Sequence, residues 1–171
     1  MCKVKRLQVK YRRISETKEL HPAYMSDFSE IKDLQIQHEY WIPSVNSISS
    51  GRLDYKLNYG NSSIAMEIKV HDGSYYIGGH LTQLLCYAYR DPQYNTLLLA
   101  TQNSITVIFV DENKKILNTL RPTFIANSHV APHKYGKIHF TAISDFVYYT
   151  FNINNVFSMQ TMFDFIRKHY E

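Results

Sequence analysis

Leu34, Ile36, His38, Tyr40 and Ile42 alternate with Gln35, Gln37, Glu39 and Trp41. That is the period of two of a β-strand. Pro43 ends the run, and a turn rich in Ser and Asn over 44–50 leads into a second run, 52–59. Gly60-Asn61-Ser62 then turns the chain onto a third, 64–70. Three short runs joined by turns predict an antiparallel meander. Beyond Gly78-Gly79 the period lengthens. Leu81, Leu84, Leu85 and Ala88 share one stripe of a helix over 80–90, and His80, Gln83, Tyr87 and Arg90 share the adjacent one. This helix therefore buries one face and can offer a second to a site. Asp91-Pro92 stops it.

Ser26 or Asp27 can cap a short helix over 26–34 with Phe28, Ile31 and Leu34 inward, and 15–22 reads as a polar loop. Residues 96–101 form a continuous apolar run, as expected of a central strand covered on both faces. Residues 104–110 and 116–120 read as a strand hairpin, 122–135 as a loop, 137–150 as a strand, and 157–170 as a closing helix with Met159, Met162, Phe163 and Ile166 inward. The expected fold class is α/β, a mixed β-sheet flanked by helices, in a single domain over 1–171.

Composition narrows the function classes. At 171 residues and 44% hydrophobic content the chain can bury a core without disulfides. Cys2 and Cys86 are only two, one at the terminus and one on the expected helix, so no disulfide framework is expected. No apolar run approaches the roughly 18 residues of a membrane span, so a membrane partner is not expected and the expected compartment is cytoplasmic. The net charge of +4 is uneven: Lys3, Lys5, Arg6, Lys10, Arg12 and Arg13 crowd the first thirteen positions, which hold no acid. Leu7, Val9 and Tyr11 alternate with Gln8, Lys10 and Arg12, so this segment reads as an edge strand or a disordered arm. Lys10, Arg12 and Arg13 are the candidate contacts to a phosphate backbone.

The chemistry-bearing residues sit in the meander and the helix after it. Asp54 and Glu67 lie on runs that the hairpin places face to face. Lys69, two residues beyond Glu67, points to the same side of its strand. Two carboxylates suit a hard divalent ion, and the backbone carbonyl of Ile68 can add a further oxygen. Lys69 can hold a phosphate oxygen or position an attacking water. Gln83 can donate to either, with Tyr87 one turn on in support. His129, His133 and His139 stand in a loop without Cys and do not make a zinc pattern.

Gly51-Arg52-Leu53-Asp54, Glu67-Ile68-Lys69 and Gln83-Leu84-Leu85-Cys86-Tyr87 resemble the GxxD, (D/E)xK and QxxxY motifs of the PD-(D/E)XK nuclease superfamily. They look closest to its RecB-like and type I restriction branches, and the likeness covers about residues 26–110. The resemblance implies a restriction-endonuclease-like fold and an Mg2+ or Mn2+ ion held by Asp54 and Glu67. It implies Lys69 as base or phosphate holder, and DNA as substrate with RNA the alternative. Many members add an upstream Glu or His; Glu30, Glu39, Glu19 and His21 stand in that region, and none matches clearly. The rival readings are a non-catalytic nucleic-acid-binding module and a junction-resolving nuclease, which would need a homodimer. No ATPase motif is present, so any helicase or ATPase would be a separate partner.

Overall fold

The computed structural model describes residues 2–9, 14–38, 41–42, 51–70, 74–102, 104–126, 146–153 and 155–171. Lys10, Arg12, Arg13 and Glu39, the three histidines at 129, 133 and 139, and the start of the expected strand over 137–150 lie outside these residues.

The expected meander forms. Strand β1 (Gln35–His38) pairs antiparallel with β4 (Tyr55–Tyr59), and β4 with β5 (Ser62–Ile68). Gly60 turns β4 into β5 at a φ of 57°, where a side chain would be strained. A short ladder of β2 (Trp41–Ile42) on β3 (Gly51–Arg52) continues the register of β1 on β4: Trp41 faces Arg52 as His38 faces Tyr55. The second run is thus interrupted at Leu53 and Asp54. Helix α3 (Ser74–Arg90) crosses over to β6 (Thr96–Ala100), which lies parallel to β5. It begins earlier than its periodicity predicts, and Gly78 and Gly79 lie within it. Strands β7 (Ser104–Phe109) and β8 (Tyr149–Asn152) complete a six-stranded mixed sheet in the order β1-β4-β5-β6-β7-β8. The fold is α/β, a mixed sheet flanked by helices.

Alternation along the strands divides the core in two. Tyr55, Leu57, Ile64, Met66, Ile68, Leu98 and Val107 face one side. There they pack on α1 (Lys3–Val9), α2 (His21–Phe28) and α5 (Val156–His169). Ala65, Leu97, Leu99 and Ile108 face the other side, under α3 and α4 (Lys114–Ala126). Every residue of β6 is buried because both of its faces are covered.

Three expectations are corrected. The basic N-terminal segment contains a helix, α1, and is neither strand nor free arm over residues 3–9. Cys2 and Val4 are fully buried, and Asp27 accepts hydrogen bonds from Cys2 Sγ at 2.9 Å and from the Lys3 N–H at 3.1 Å. Asp27 therefore caps α1 rather than starting its own helix. That helix, α2, begins at His21 behind a π-helical turn, Glu16–Leu20, where a loop is expected. Removing the first thirteen residues would strip this buried contact and is expected to disturb the fold. The third correction is the run at 116–120: it is helical, in α4, with Ile116, Leu120 and Phe124 buried one turn apart, and Pro122 is accommodated inside the helix. No helix among the described residues is long and apolar enough to cross a membrane.

Asn113 joins the two ends of the sheet's far edge. Its buried amide donates to the Phe109 and Val147 carbonyls and accepts from the Val147 N–H, each at 2.9 Å. Asn113→Ala leaves three backbone groups without partners and is expected to cost about 2–3 kcal/mol. An unfolding free energy from denaturant titration within about 0.5 kcal/mol of wild type, the scale of an ordinary surface change, would contradict that.

Candidate active site

Where β4 stops, Asp54 takes over. Its Oδ2 accepts a 2.8 Å hydrogen bond from the Ile68 N–H, in the place a ladder carbonyl would occupy had the strand continued. The next N–H, that of Lys69, donates at 2.8 Å to Ala100 on the opposite edge. Peptide groups of successive strand residues face alternate edges, so the Ile68 carbonyl leaves the strand on the same edge as its N–H, the one Asp54 occupies.

Glu67 alternates with Ile68 and so falls on the α3 face beside Ala65, where it is 2% exposed. Its Oε2 lies 3.4 Å from the Lys69 ammonium, while its Oε1 has no hydrogen-bond partner. Burial first, and then the charge of Asp54, push the Glu67 carboxyl up to about 8, with Lys69 pulling the other way. Lys69 is half-buried. Burial alone would lower its pKa, but the charges of Glu67, Asp54 and Glu16 outweigh that, and its net shift is upward. Near neutral pH the cluster therefore carries a charged lysine beside a Glu67 carboxyl that keeps its proton.

Gln83 and Tyr87 lie one turn apart on α3, which covers this face of β5. Gln83 Nε2 donates to Tyr87 Oη at 3.0 Å, and both side chains are buried. Burial and the neighbouring Glu67 charge raise the Tyr87 phenol. Asp54, Glu67, Ile68, Lys69, Gln83 and Tyr87 thus belong to one cluster at the ends of β4 and β5. The placement of Lys10, Arg12 and Arg13 relative to it lies outside the described residues.

Two further residues reach this cluster: Glu16, which the sequence reading left without a role, and His21, one of the upstream candidates. Glu16, in the π-helical turn, accepts from the Val70 N–H at 3.1 Å. His21, the first residue of α2, holds Nε2 3.8 Å from Asp54 Oδ2. Burial lowers the His21 pKa against the raising effect of Asp54 and Glu16. Glu30 follows the far end of α2, in the turn that leaves it, and is exposed. A signal for the earlier helix start was present: Ser15, whose side chain caps Lys18, and Pro22 near the head of α2.

Among the described residues no three His, Cys, Asp or Glu side chains converge as a ready-made metal cage. The donors that do converge are two carboxylates and one backbone carbonyl. They suit a hard, partly hydrated ion such as Mg2+, which keeps several waters and takes one or two protein carboxylates. The buried Oε1 of Glu67, which makes no hydrogen bond, is the observation that fits such an ion best, because a buried polar atom left without a partner is costly. No family model, curated protein or solved structure matches this chain.

Proposed function

We propose that the protein is a divalent-metal-dependent nuclease that hydrolyses DNA phosphodiester bonds. The observation that carries this reading is the buried Glu67 carboxyl, with one oxygen lacking a partner, between Asp54 and Lys69. Such a group is poorly balanced as part of a resting core and well balanced once a cation enters. Asp54, Glu67 and the Ile68 carbonyl would hold Mg2+ or Mn2+. Bound there, the ion supplies positive charge that polarises the phosphate and acidifies water.

The chain's own groups do the rest. Lys69 stays charged, which favours holding a phosphate oxygen over accepting a proton. Its 3.4 Å contact with Glu67 keeps the ammonium at the mouth of the site. The Ile68 N–H fixes the Asp54 carboxylate, leaving its remaining lone pairs for a cation. Tyr87 and Gln83 form a buried polar wall behind Glu67, and α3 excludes water from that side.

The test is incubation with circular single-stranded, circular duplex and linear DNA in Mg2+ or Mn2+, with EDTA as control. Metal-dependent cutting is expected. Cut circles identify an endonuclease, and loss from ends alone an exonuclease. Binding without cleavage of any substrate form would replace this reading with that of a non-catalytic binding module.

A further inference from the structure

A cavity of about 400 Å3 opens beside Asp54. Among the described residues its walls are Glu16, Thr17, His21, Pro22, His38, Asp54 and Tyr55. His38 stacks on Tyr55 with ring centres 4.6 Å apart and planes 16° apart, and His21 tilts against the same tyrosine at 5.5 Å. Buried His21 forms a further wall, and its Nε2 makes no hydrogen bond. The cavity thus combines flat aromatic surface with two carboxylates, a hydroxyl and one unsatisfied imidazole nitrogen.

Among the described residues no lysine or arginine lines it, so those residues offer a phosphate no charged partner. A flat, uncharged heterocycle with hydrogen-bonding edges suits it better: the ring stacks on imidazole, and exocyclic amines donate to carboxylate. We infer that this cavity takes one unstacked nucleobase of the substrate strand, beside the phosphate held at Asp54 and Lys69. A base inside a duplex is stacked on both faces and cannot enter without being extruded. The substrate class that follows is single-stranded or locally unpaired DNA. This rests on the nuclease reading for the phosphate site, while base capture can be measured without any cleavage.

The experiment is equilibrium binding in EDTA of a 2-aminopurine-containing single-stranded oligonucleotide, followed by fluorescence, with the matching duplex as comparison. The single strand is expected to change the fluorescence saturably and to bind about tenfold more tightly than the duplex. His38→Ala should weaken that binding about tenfold, the scale of one base–aromatic stack, and His38→Phe should restore it. Melting curves establish that both variants are folded. Equal binding of strand and duplex, no binding at all, or His38→Ala binding like wild type overturns the inference. Cleavage is scored separately with Mn2+. Base capture without cutting of any substrate sinks the nuclease reading and leaves the base site standing. Cutting with no strand preference and no effect of His38→Ala does the reverse.

Discussion

Lys69→Ala is expected to lower cleavage by about 10²–10³-fold, the usual loss when one preorganised charged donor is removed from a phosphoryl or acyl site. Metal binding should survive, because an ammonium donates no lone pair to a cation. The pH of that measurement matters. Lys69 is the cation that draws the Glu67 carboxyl downward, so its loss holds a proton on Glu67 to still higher pH. A ligand must lose its proton before it binds metal. Titration calorimetry at neutral pH should therefore show weaker Mg2+ or Mn2+ binding in Lys69→Ala, converging on wild type well above pH 8. Asp54→Ala should lose metal binding and cleavage together at every pH. It also removes the acceptor for the Ile68 N–H, with a stability cost of about 1 kcal/mol. Asp54→Asn keeps an acceptor there and is the cleaner control. Full cleavage by Lys69→Ala would remove the lysine from the chemistry.

The site was legible where consecutive elements carry it. Asp54 and Glu67 meet because a hairpin pairs Tyr55 with Met66, and a period of two announces that pairing. Gln83 and Tyr87 share a face because α3 is a regular helix with a clean apolar stripe. Local rules were silent where long-range contact decides. Leu7 and Val9 alternate, yet Val4 and Leu7, three apart, turn inward onto α2, and Asp27 from that distant helix satisfies the first turn of α1. Ile116, Leu120 and Phe124 recur at helical spacing, but Pro122 reads as a stop, and its place in α4 becomes evident only once the helix packs on α3. Glu16 and His21 reach Val70 and Asp54 from 54 and 33 positions away. No periodicity encodes such a meeting. The break at Leu53 and Asp54 was equally hidden, since an unpaired Asp in a strand looks the same in sequence as a paired one.

Glu67→Gln should make the metal-free protein more stable while abolishing cleavage. The fold holds the Glu67 carboxyl at about 8 against an ordinary value of 4.5, so the native state binds a proton that the unfolded chain has released. Its stabilising contribution is complete below about pH 4.5 and is lost as pH rises through about 8. Over that window stability falls by up to about 1.4 kcal/mol per pH unit, a few kcal/mol in all. Glutamine cannot ionise, so the variant escapes this loss. At pH 8 and above it should melt about 5 °C or more higher than wild type in EDTA, given roughly 2–4 °C per kcal/mol for a domain this size. His21 titrates in the opposite sense: burial lowers its pKa, so its contribution is lost as pH falls. The wild-type curve alone therefore mixes two slopes, and the difference between wild type and Glu67→Gln isolates the carboxyl. Added Mg2+ or Mn2+ should raise the wild-type melting point, most strongly at high pH where Glu67 is free of its proton, and leave the variant unmoved. A difference between the two proteins that stays flat from pH 5 to 8 would mean that Glu67 ionises normally, and the buried carboxyl would lose its claim to be waiting for a cation.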